Sequence, residues 1–323
     1  MTGGPLVIVG DALLDVDIRG TLSRVTSGGA GGTGGSVPVV DCGERRERPG
    51  GAGLAALLAA APGDRDVVLV TGLGDDEAGI AVAAMLEGAV DLIRLPLAGG
   101  TPQKTRVMAG PRALLRLDAG TGRVPPGAAV PWRAQAALRG AAGILVADYG
   151  RGMAAHPDVA GLLAALAGKL PVTWDPHPRG GFPLPGIRLA MPNEAEAIAF
   201  CARGAGARGG VCGGAARRAG YLMRAWGVSG VAVTLGARGA VLATPSKPPV
   251  VAPAPRVAAA DTCGAGDSFA AAVTRGLADG LPLAEVVASG VHAAASFVGA
   301  GAASSIGMRK GAQECPVAHL ARC

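Results

Sequence analysis

The stretch Asp261–Val273 reads DTCGAGDSFAAAV. Two carboxylates bracket a run of small residues, and a smooth apolar segment follows. That segment predicts a helix over Gly264–Ala278. The first turn of a helix has N–H groups without intrahelical partners and carries partial positive charge. Gly264, Ala265 and Gly266 leave that backbone bare, so an anion can approach it closely. Asp267 stands at the edge of this anion hole and would repel the same anion unless it has chemical work. The work that fits is taking a proton from a hydroxyl as it attacks a phosphoryl group. An ordinary capped helix, with Asp261 or Asp267 as the cap, is the competing reading.

Outward from this stretch, short apolar runs alternate with Ala/Leu-rich helical patterns. Strands are expected at Leu6–Val9, Val67–Thr71, Ile144–Asp148, Val172–Asp175, Leu189–Asn193, Val231–Leu235 and Val250–Ala252. Helices are expected at Gly53–Ala61, Glu77–Glu87, Val159–Leu170, Ala215–Trp226 and Leu283–Val298. Continuously apolar strands separated by helices imply a parallel sheet covered on both faces, an α/β class of doubly wound type. Four segments break the rhythm by alternating like half-exposed strands: Asp15–Arg19, Val37–Asp41, Gln103–Met108 and Ala113–Asp118. Together they predict a small sheet flap outside the main layer. SGGAGGTGGS (Ser27–Ser36) reads as a mobile loop, and CARGAGARGGVCGG (Cys201–Gly214) as a surface linker between helices.

Bulk composition narrows the function classes. Half of the 323 residues are apolar and 3% are aromatic, so the core must be built from Val, Leu and Ala. The net charge of +6 comes from basic residues placed singly or in short pairs. No basic block or aromatic-interleaved stripe appears, which disfavours nucleic acid and leaves anionic metabolites as the better partners. None of the six cysteines forms C-x-x-C, so free thiols in a reducing cytoplasm are expected. MTGGPLVIVGD has no basic n-region and reads as a first strand, and no apolar run is long enough for a membrane span.

DTCGAGD resembles the D-T-x-G-A-G-D signature of the ribokinase-like sugar kinases, the phosphofructokinase-B family. Other segments agree in order: VIVGD with Asp11, RPGGAG (Arg48–Gly53), PNEAE with Asn193 and Glu196, and TLGARGA (Thr234–Ala240). The resemblance runs from about residue 5 to residue 307. It implies a ribokinase-like three-layer α/β/α sandwich with a mainly parallel sheet and a small β-sheet lid. Residues 1–323 would be one sugar-kinase domain, with lid segments at about 12–48 and 97–118. Within the family the likeness is greatest to the D-glycero-β-D-manno-heptose 7-phosphate kinases. GDALLDVDIRGTLSRV, PVVDCGERRERPGGAG, KTRVMAG, LLRLD and VADYGRG resemble their GD-x-x-LD, ERPGGAAN, K-x-RV, IRLD and SDY-x-KG segments. Those enzymes also carry an adenylyltransferase half with an H-x-G-H motif. Nothing after Ser305 resembles it, so a kinase without that domain is the expectation.

By this resemblance Asp267 is the catalytic base, and Gly264, Ala265 and Gly266 with Cys263 form the anion hole. Asn193 and Glu196 lie three apart at a strand-to-helix junction and suit Mg2+, held through water beside the phosphates of ATP. They would equally suit a helix cap. Thr234, Gly236 and Gly239 resemble the lining of the nucleotide site, and His292 lies on the helix that would pass the adenine. His177 stands in WDPHPRG where the heptose kinases have a lysine, which implies a pH-dependent contact to nucleotide phosphate. Asp11, Gly50 and Gly51 are expected at sugar hydroxyls, and Asp148 ends a strand where open α/β sheets place ligand groups. Lys104 and Arg106 alternate onto one face of the flap and, with Arg116, either hold a remote sugar phosphate or form a solvated face. Leu54 replaces the asparagine that commonly contacts sugar in the family, which puts the exact sugar in doubt.

The expected activity is ATP- and Mg2+-dependent phosphorylation of O1 of D-glycero-D-manno-heptose 7-phosphate, giving the 1,7-bisphosphate. A kinase for another sugar or sugar phosphate, and a catalytically inactive sugar- or nucleotide-binding relative, are the alternatives. Family members often pair through the lid, so a homodimer through the lid is also implied.

Overall fold

Strand β1 (Leu6–Gly10) is buried along its whole length. Leu6 and Ile8 enter one core while Val7 and Val9 enter another. A strand apolar on both faces can only sit inside a layered sheet. The computed structural model of the chain describes residues 3–27, 36–110, 112–204, 213–258, 261–306 and 309–310.

The main sheet contains β1, β4 (Val67–Gly72), β5 (Asp91–Leu95), β8 (Gly143–Asp148), β9 (Val172–Pro176), β10 (Leu189–Ala190), β11 (Val231–Thr234), β12 (Ala240–Ala243) and β13 (Val250–Ala252). Their order is β13-β12-β11-β10-β9-β8-β1-β4-β5, parallel except for the pairings of β12 with β11 and β13. Helices α1 (Ala52–Ala60), α2 (Glu77–Leu86), α7 (Ala265–Ala278) and α8 (Leu283–Gly299) supply buried residues to the core on one face. Helices α3 (Trp132–Arg139), α4 (Pro157–Leu166), α5 (Glu194–Gly204) and α6 (Ala215–Trp226) do so on the other. The result is the ribokinase-like α/β/α sandwich.

A second sheet stands apart, with order β14-β3-β2-β6-β7. It comprises β2 (Ala12–Ser27), β3 (Ser36–Gly51), β6 (Gln103–Ala109), β7 (Arg112–Ala119) and the two-residue β14 (Arg309–Lys310). All four alternating segments fall within this lid. β2 and β3 run 16 residues each, well past the segments expected. β2 grows directly out of β1 across Asp11, and β3 passes directly into α1, so the lid is continuous with the body at two points.

Several elements differ from expectation. The strand at Leu189–Asn193 stops at Ala190, because Pro192 has no N–H and Asn193 begins a helix cap. The helix over Val159–Leu170 ends at Leu166, and Gly168 beyond it has φ 80°. The linker begins later than expected: Cys201–Gly204 complete α5, held by the burial of Phe200 and Cys201. Its residues 205–212, and residues 28–35 of the Ser27–Ser36 loop, lie outside the described residues. β5 and α3 had no strong sequence signal. β5 carries Asp91 and Arg94, and α3 buries only Ala134 and Leu138. Among the described residues no helix is long and apolar enough to cross a membrane.

Candidate active site

Asp148 closes β8, Asp175 lies near the end of β9, Asn193 follows β10 and Thr234 closes β11. Parallel strands thus bring four polar side chains to one sheet edge, the carboxyl edge where open α/β folds place ligands. With Glu196, Gly266 and Asp267 they line a cavity of about 230 Å3.

Gly264 caps α7 in the left-handed conformation, at φ 84°. A Cβ there would lie 2.7 Å from Leu54 Cδ2 and 3.1 Å from Phe297, so only glycine fits both the backbone and the space. Leu54 is 1% exposed and forms part of the floor under this turn. It packs beneath the Gly264 turn. The Ala265 N–H donates to the Thr262 carbonyl at 3.2 Å, so it is turned away from any incoming anion. Gly264 and Gly266 keep N–H groups without a partner among the described residues.

Asp267, in the first turn of α7, accepts a hydrogen bond from the Tyr149 hydroxyl at 3.1 Å. Burial pushes its carboxyl up to about 7; the Tyr149 hydrogen bond lowers it and the neighbouring Asp15 raises it. A carboxyl poised near neutrality is suited to proton abstraction at physiological pH.

The lid meets this turn through a chain of charges. Asp17 and Arg48 are each 1% exposed and pair at 2.8 Å. Arg106 donates to Asp17 at 2.8 Å and to Asp261 at 3.2 Å. Asp261 accepts the Cys263 N–H at 3.0 Å, and the Arg48 guanidinium lies 3.7 Å from Cys263 Sγ. The loop leading into α7 is thereby held by two lid side chains, Arg48 and Arg106, which Asp17 ties together. Burial raises the Cys263 thiol, Asp15 adds to this, and Arg48 and Arg106 act the other way. Sulfur here is a neutral packing and hydrogen-bonding group.

Residues 182–309 match the model described as the pfkB family carbohydrate kinase. Over that stretch the chain is similar to the pfkB carbohydrate kinases. It is similar to the Bifunctional protein HldE of Streptomyces coelicolor, with 48% identity over 94% of this chain and 62% of that protein. It is also similar to the Bifunctional protein HldE of Caulobacter vibrioides, with 31% identity over 88% of this chain and 57% of that one. The chain therefore spans less than two thirds of the length of these relatives. In fold it is similar to the Arabidopsis thaliana ribokinase complexed with ribose and ATP. The TM-score is 0.71 at 21% identity, over 95% of this chain and 96% of that one.

At the cavity, Asn193 and Glu196 form a reciprocal capping box at the start of α5. The Glu196 carboxylate accepts the Asn193 N–H at 2.8 Å, and Asn193 Oδ1 accepts the Glu196 N–H at 2.9 Å. Both also line the cavity, so the capping and ligand readings describe the same pair. Burial raises the Glu196 carboxyl, against hydrogen bonding from the backbone and side chain of Asn193. Burial, then Glu196, Asp267 and Asp148, push the Asp175 carboxyl well above the ordinary range. These side chains offer oxygen donors, the type a hard cation such as Mg2+ takes, while among the described residues no group of three or more His, Cys, Asp or Glu is placed to hold a metal ion.

His177 Nδ1 accepts the Arg179 N–H at 3.0 Å. Burial, with the cations Arg179 and Lys104, lowers its pKa to about 4. At neutral pH it is an uncharged ring able to donate from Nε2, not a substitute for a lysine charge. Asp148 is raised to about 6, by burial first and then by Asp11, against N–H bonds from Gly150 and Gly181. Gly236 and Gly239 frame the turn between β11 and β12, with Leu235 N–H bonded to the Gly239 carbonyl at 2.7 Å. His292 lies on an exposed face of α8, with Nδ1 2.9 Å from the Ala288 carbonyl, and does not line the cavity.

Asp11 has a different use from the one expected. Its carboxylate is 4% exposed and accepts the N–H groups of Tyr149, Arg151 and Met153 at 3.0, 2.8 and 3.3 Å. It anchors the loop after β8. The open carboxylate is Asp15, which makes no hydrogen bond or ion pair among the described residues. A Cβ on Gly50 would come within 2.5 Å of Asp15 Oδ2, so glycine keeps this acceptor accessible. Asp15 shares a lid face with Asp17 and alternates with buried Val16, a pattern already visible in ALLDVD. Gly51 caps α1 beside it. Lys104 and Arg106 do share one lid face, and Arg116 pairs across the sheet with Arg106. Arg106 is occupied by Asp17 and Asp261, and Arg116 by Asp118 at 2.7 Å. Lys104 has no carboxylate partner among the described residues and stands over the Tyr149 ring. Tyr149, Asp15 and Asp17 are the site residues that sequence reasoning missed.

Proposed function

We propose that this chain is an ATP-dependent, Mg2+-requiring sugar kinase that phosphorylates O1 of D-glycero-D-manno-heptose 7-phosphate to the 1,7-bisphosphate. The observation that carries the kinase chemistry is the carboxyl of Asp267 beside the bare N–H groups of Gly264 and Gly266 at the positive end of α7. The heptose 7-phosphate specificity rests on the resembling segments of the lid and of the β8 end.

In this reading the sugar lies between Asp15, Gly50 and Gly51 on one side and Asp267 on the other. Asp267 takes the proton from the anomeric hydroxyl. The electron pair left on that oxygen forms the new O–P bond as the bond to the ADP oxygen breaks. The N–H groups of Gly264 and Gly266 meet the charge on the phosphoryl oxygens, and transfer depends mainly on such positioning and charge stabilisation. Glu196 and Asn193, with Asp175 nearby, would hold Mg2+ through water, where it would offset phosphate charge. Thr234, Gly236 and Gly239 line the nucleotide side. Lys104 is the lid cation available to the sugar's remote phosphate, and Arg106 would reach it only by exchanging a carboxylate partner.

The lid also supports pairing of two copies. Leu115 and Leu117 of edge strand β7 are 52% and 51% exposed on the lid face opposite the charged one. Turnover of ATP against a panel of sugars with and without a terminal phosphate tests the function. Turnover should require the phosphorylated heptose and vanish in Asp267→Asn. Absence of turnover with every sugar would favour a binding role instead.

A further inference from the structure

Tyr149 lies in VADYGRG, a segment from which no role for the tyrosine was read. It follows the last residue of β8, and its backbone N–H is fixed by Asp11 at 3.0 Å. Its hydroxyl reaches Asp267 Oδ1 at 3.1 Å. The Lys104 ammonium, carried by the lid strand β6, lies 5.1 Å from its ring centroid. The His177 ring is 6.1 Å away on the nucleotide side, and a Cβ on Gly51 would sit 3.1 Å from the ring. One side chain thus touches the base, the lid and the turn where the sugar is proposed to bind.

We propose that Tyr149 is a positioning residue for the base Asp267, holding one carboxylate oxygen so that the other faces the sugar hydroxyl, and that Lys104 on its ring ties this arrangement to the lid. The inference rests on the kinase reading above. A carboxylate with both oxygens free rotates, and a base must lie within hydrogen-bond reach of the proton it abstracts. The phenol pins the rotation and keeps its own proton throughout, because burial and the charges of Asp267, Asp175 and Glu196 disfavour its ionised form. Lys104 over the ring is a cation–π contact that the lid makes only when it lies against the body. The groups facing Asp267 from neighbouring elements are Asp15 and Lys104 on the lid, Tyr149 after β8, Asp175 and His177 at β9, and Glu196 on α5. Of these, the Tyr149 hydroxyl is the one that donates a hydrogen bond to Asp267.

Tyr149→Phe keeps the ring, its packing and the Lys104 contact, and removes only the donor. Losing a hydrogen bond to a charged group should lower kcat about tenfold to a hundredfold, with KM for ATP and sugar within about twofold. The acid limb of the pH–rate profile should move to higher pH, because the lost donor favoured the ionised carboxylate. Lys104→Met should leave the acid limb displaced less than Tyr149→Phe does, and should raise the sugar KM.

A second measurement is independent of turnover. The chain has two tyrosines, Tyr149 and Tyr221. With 13C at the tyrosine Cζ and Tyr221→Phe to assign the signals, the Tyr149 resonance should titrate with a midpoint near the Asp267 value of about 7. That titration should disappear in Asp267→Asn. An unchanged kcat and acid limb in Tyr149→Phe, or a Tyr149 resonance indifferent to Asp267→Asn, would overturn the proposal. A wild type inactive on every sugar would overturn the kinase reading instead, while the resonance still decides the contact.

Discussion

Replacing Asp17 by asparagine removes the anion at the centre of the lid's charge chain while keeping its shape. Asp17 is 1% exposed and accepts from Arg48 at 2.8 Å and from Arg106 at 2.8 and 3.1 Å. Arg48 is itself 1% exposed, and its Nε has no partner among the described residues. Asp17→Asn therefore leaves a buried guanidinium whose nearest anion is gone. Breaking one side of a buried pair costs about 3–5 kcal/mol, and the lower end applies here because Arg106 reaches solvent and the amide oxygen still accepts. Equilibrium urea unfolding should show a loss of about 3 kcal/mol as a lowered midpoint with the slope unchanged. The pH dependence gives an internal control. Burial alone would raise the Asp17 carboxyl, but the hydrogen bonds and charges of Arg106 and Arg48 hold it below the ordinary carboxylate value. A lowered folded-state pKa contributes stability that is present above the unfolded value and is lost as pH falls through the folded one. The wild-type advantage should thus persist from about pH 5 to 8 and shrink in acid below about pH 4. A variant within about 0.5 kcal/mol of wild type, or a difference that does not shrink in acid, would refute the view that this pair anchors the lid.

Asp267→Asn should abolish transfer, by about a hundredfold to ten-thousandfold for a lost general base. It should also stabilise the fold at pH 8: the wild-type carboxyl sits at about 7 in the folded state, so its ionisation weakens the native state as pH rises through that range. Thermal unfolding at pH 5 and 8 reads this directly, and the gain should be larger at the higher pH. Leu54→Asn, which restores the amide common in the family, should cost about 1–3 kcal/mol by burying an unpaired polar group under Gly264. Sugar preference on the panel should not change, and an acquired preference would show that Leu54 faces substrate after all. Lys104→Met should raise KM for a phosphorylated sugar more than Arg116→Met does, since Arg116 is already paired with Asp118. The reverse ranking in steady-state kinetics would place the remote phosphate elsewhere on the lid.

Much of this protein was legible from local pattern. Apolar patterning is a one-dimensional signal, so the continuous runs in Leu6–Gly10 and Val67–Gly72 announced a two-sided sheet, and the alternating segments announced a lid. The helix start after Gly264 was equally readable, because the small residues and Asp267 are consecutive and a helix start imposes its own chemistry. The cap made by Asn193 and Glu196 was readable for a similar reason: a spacing of three at a helix start is that of a capping box.

What only the tertiary structure decided is which side chains spend their hydrogen bonds on one another. Asp11 looked like a sugar acceptor until folding brought three N–H groups from about 140 residues away onto its carboxylate. Arg106 looked like a phosphate holder until parallel pairing of β6 with β2 set it against Asp17, and Asp261 closed on it across 155 residues. Tyr149 meets Asp267 across 118 residues, and Leu54 meets Gly264 only because α1 packs on α7. Periodicity records whether a residue faces inward, but the partner it finds there depends on strand register and helix packing, and these are settled by the whole chain at once.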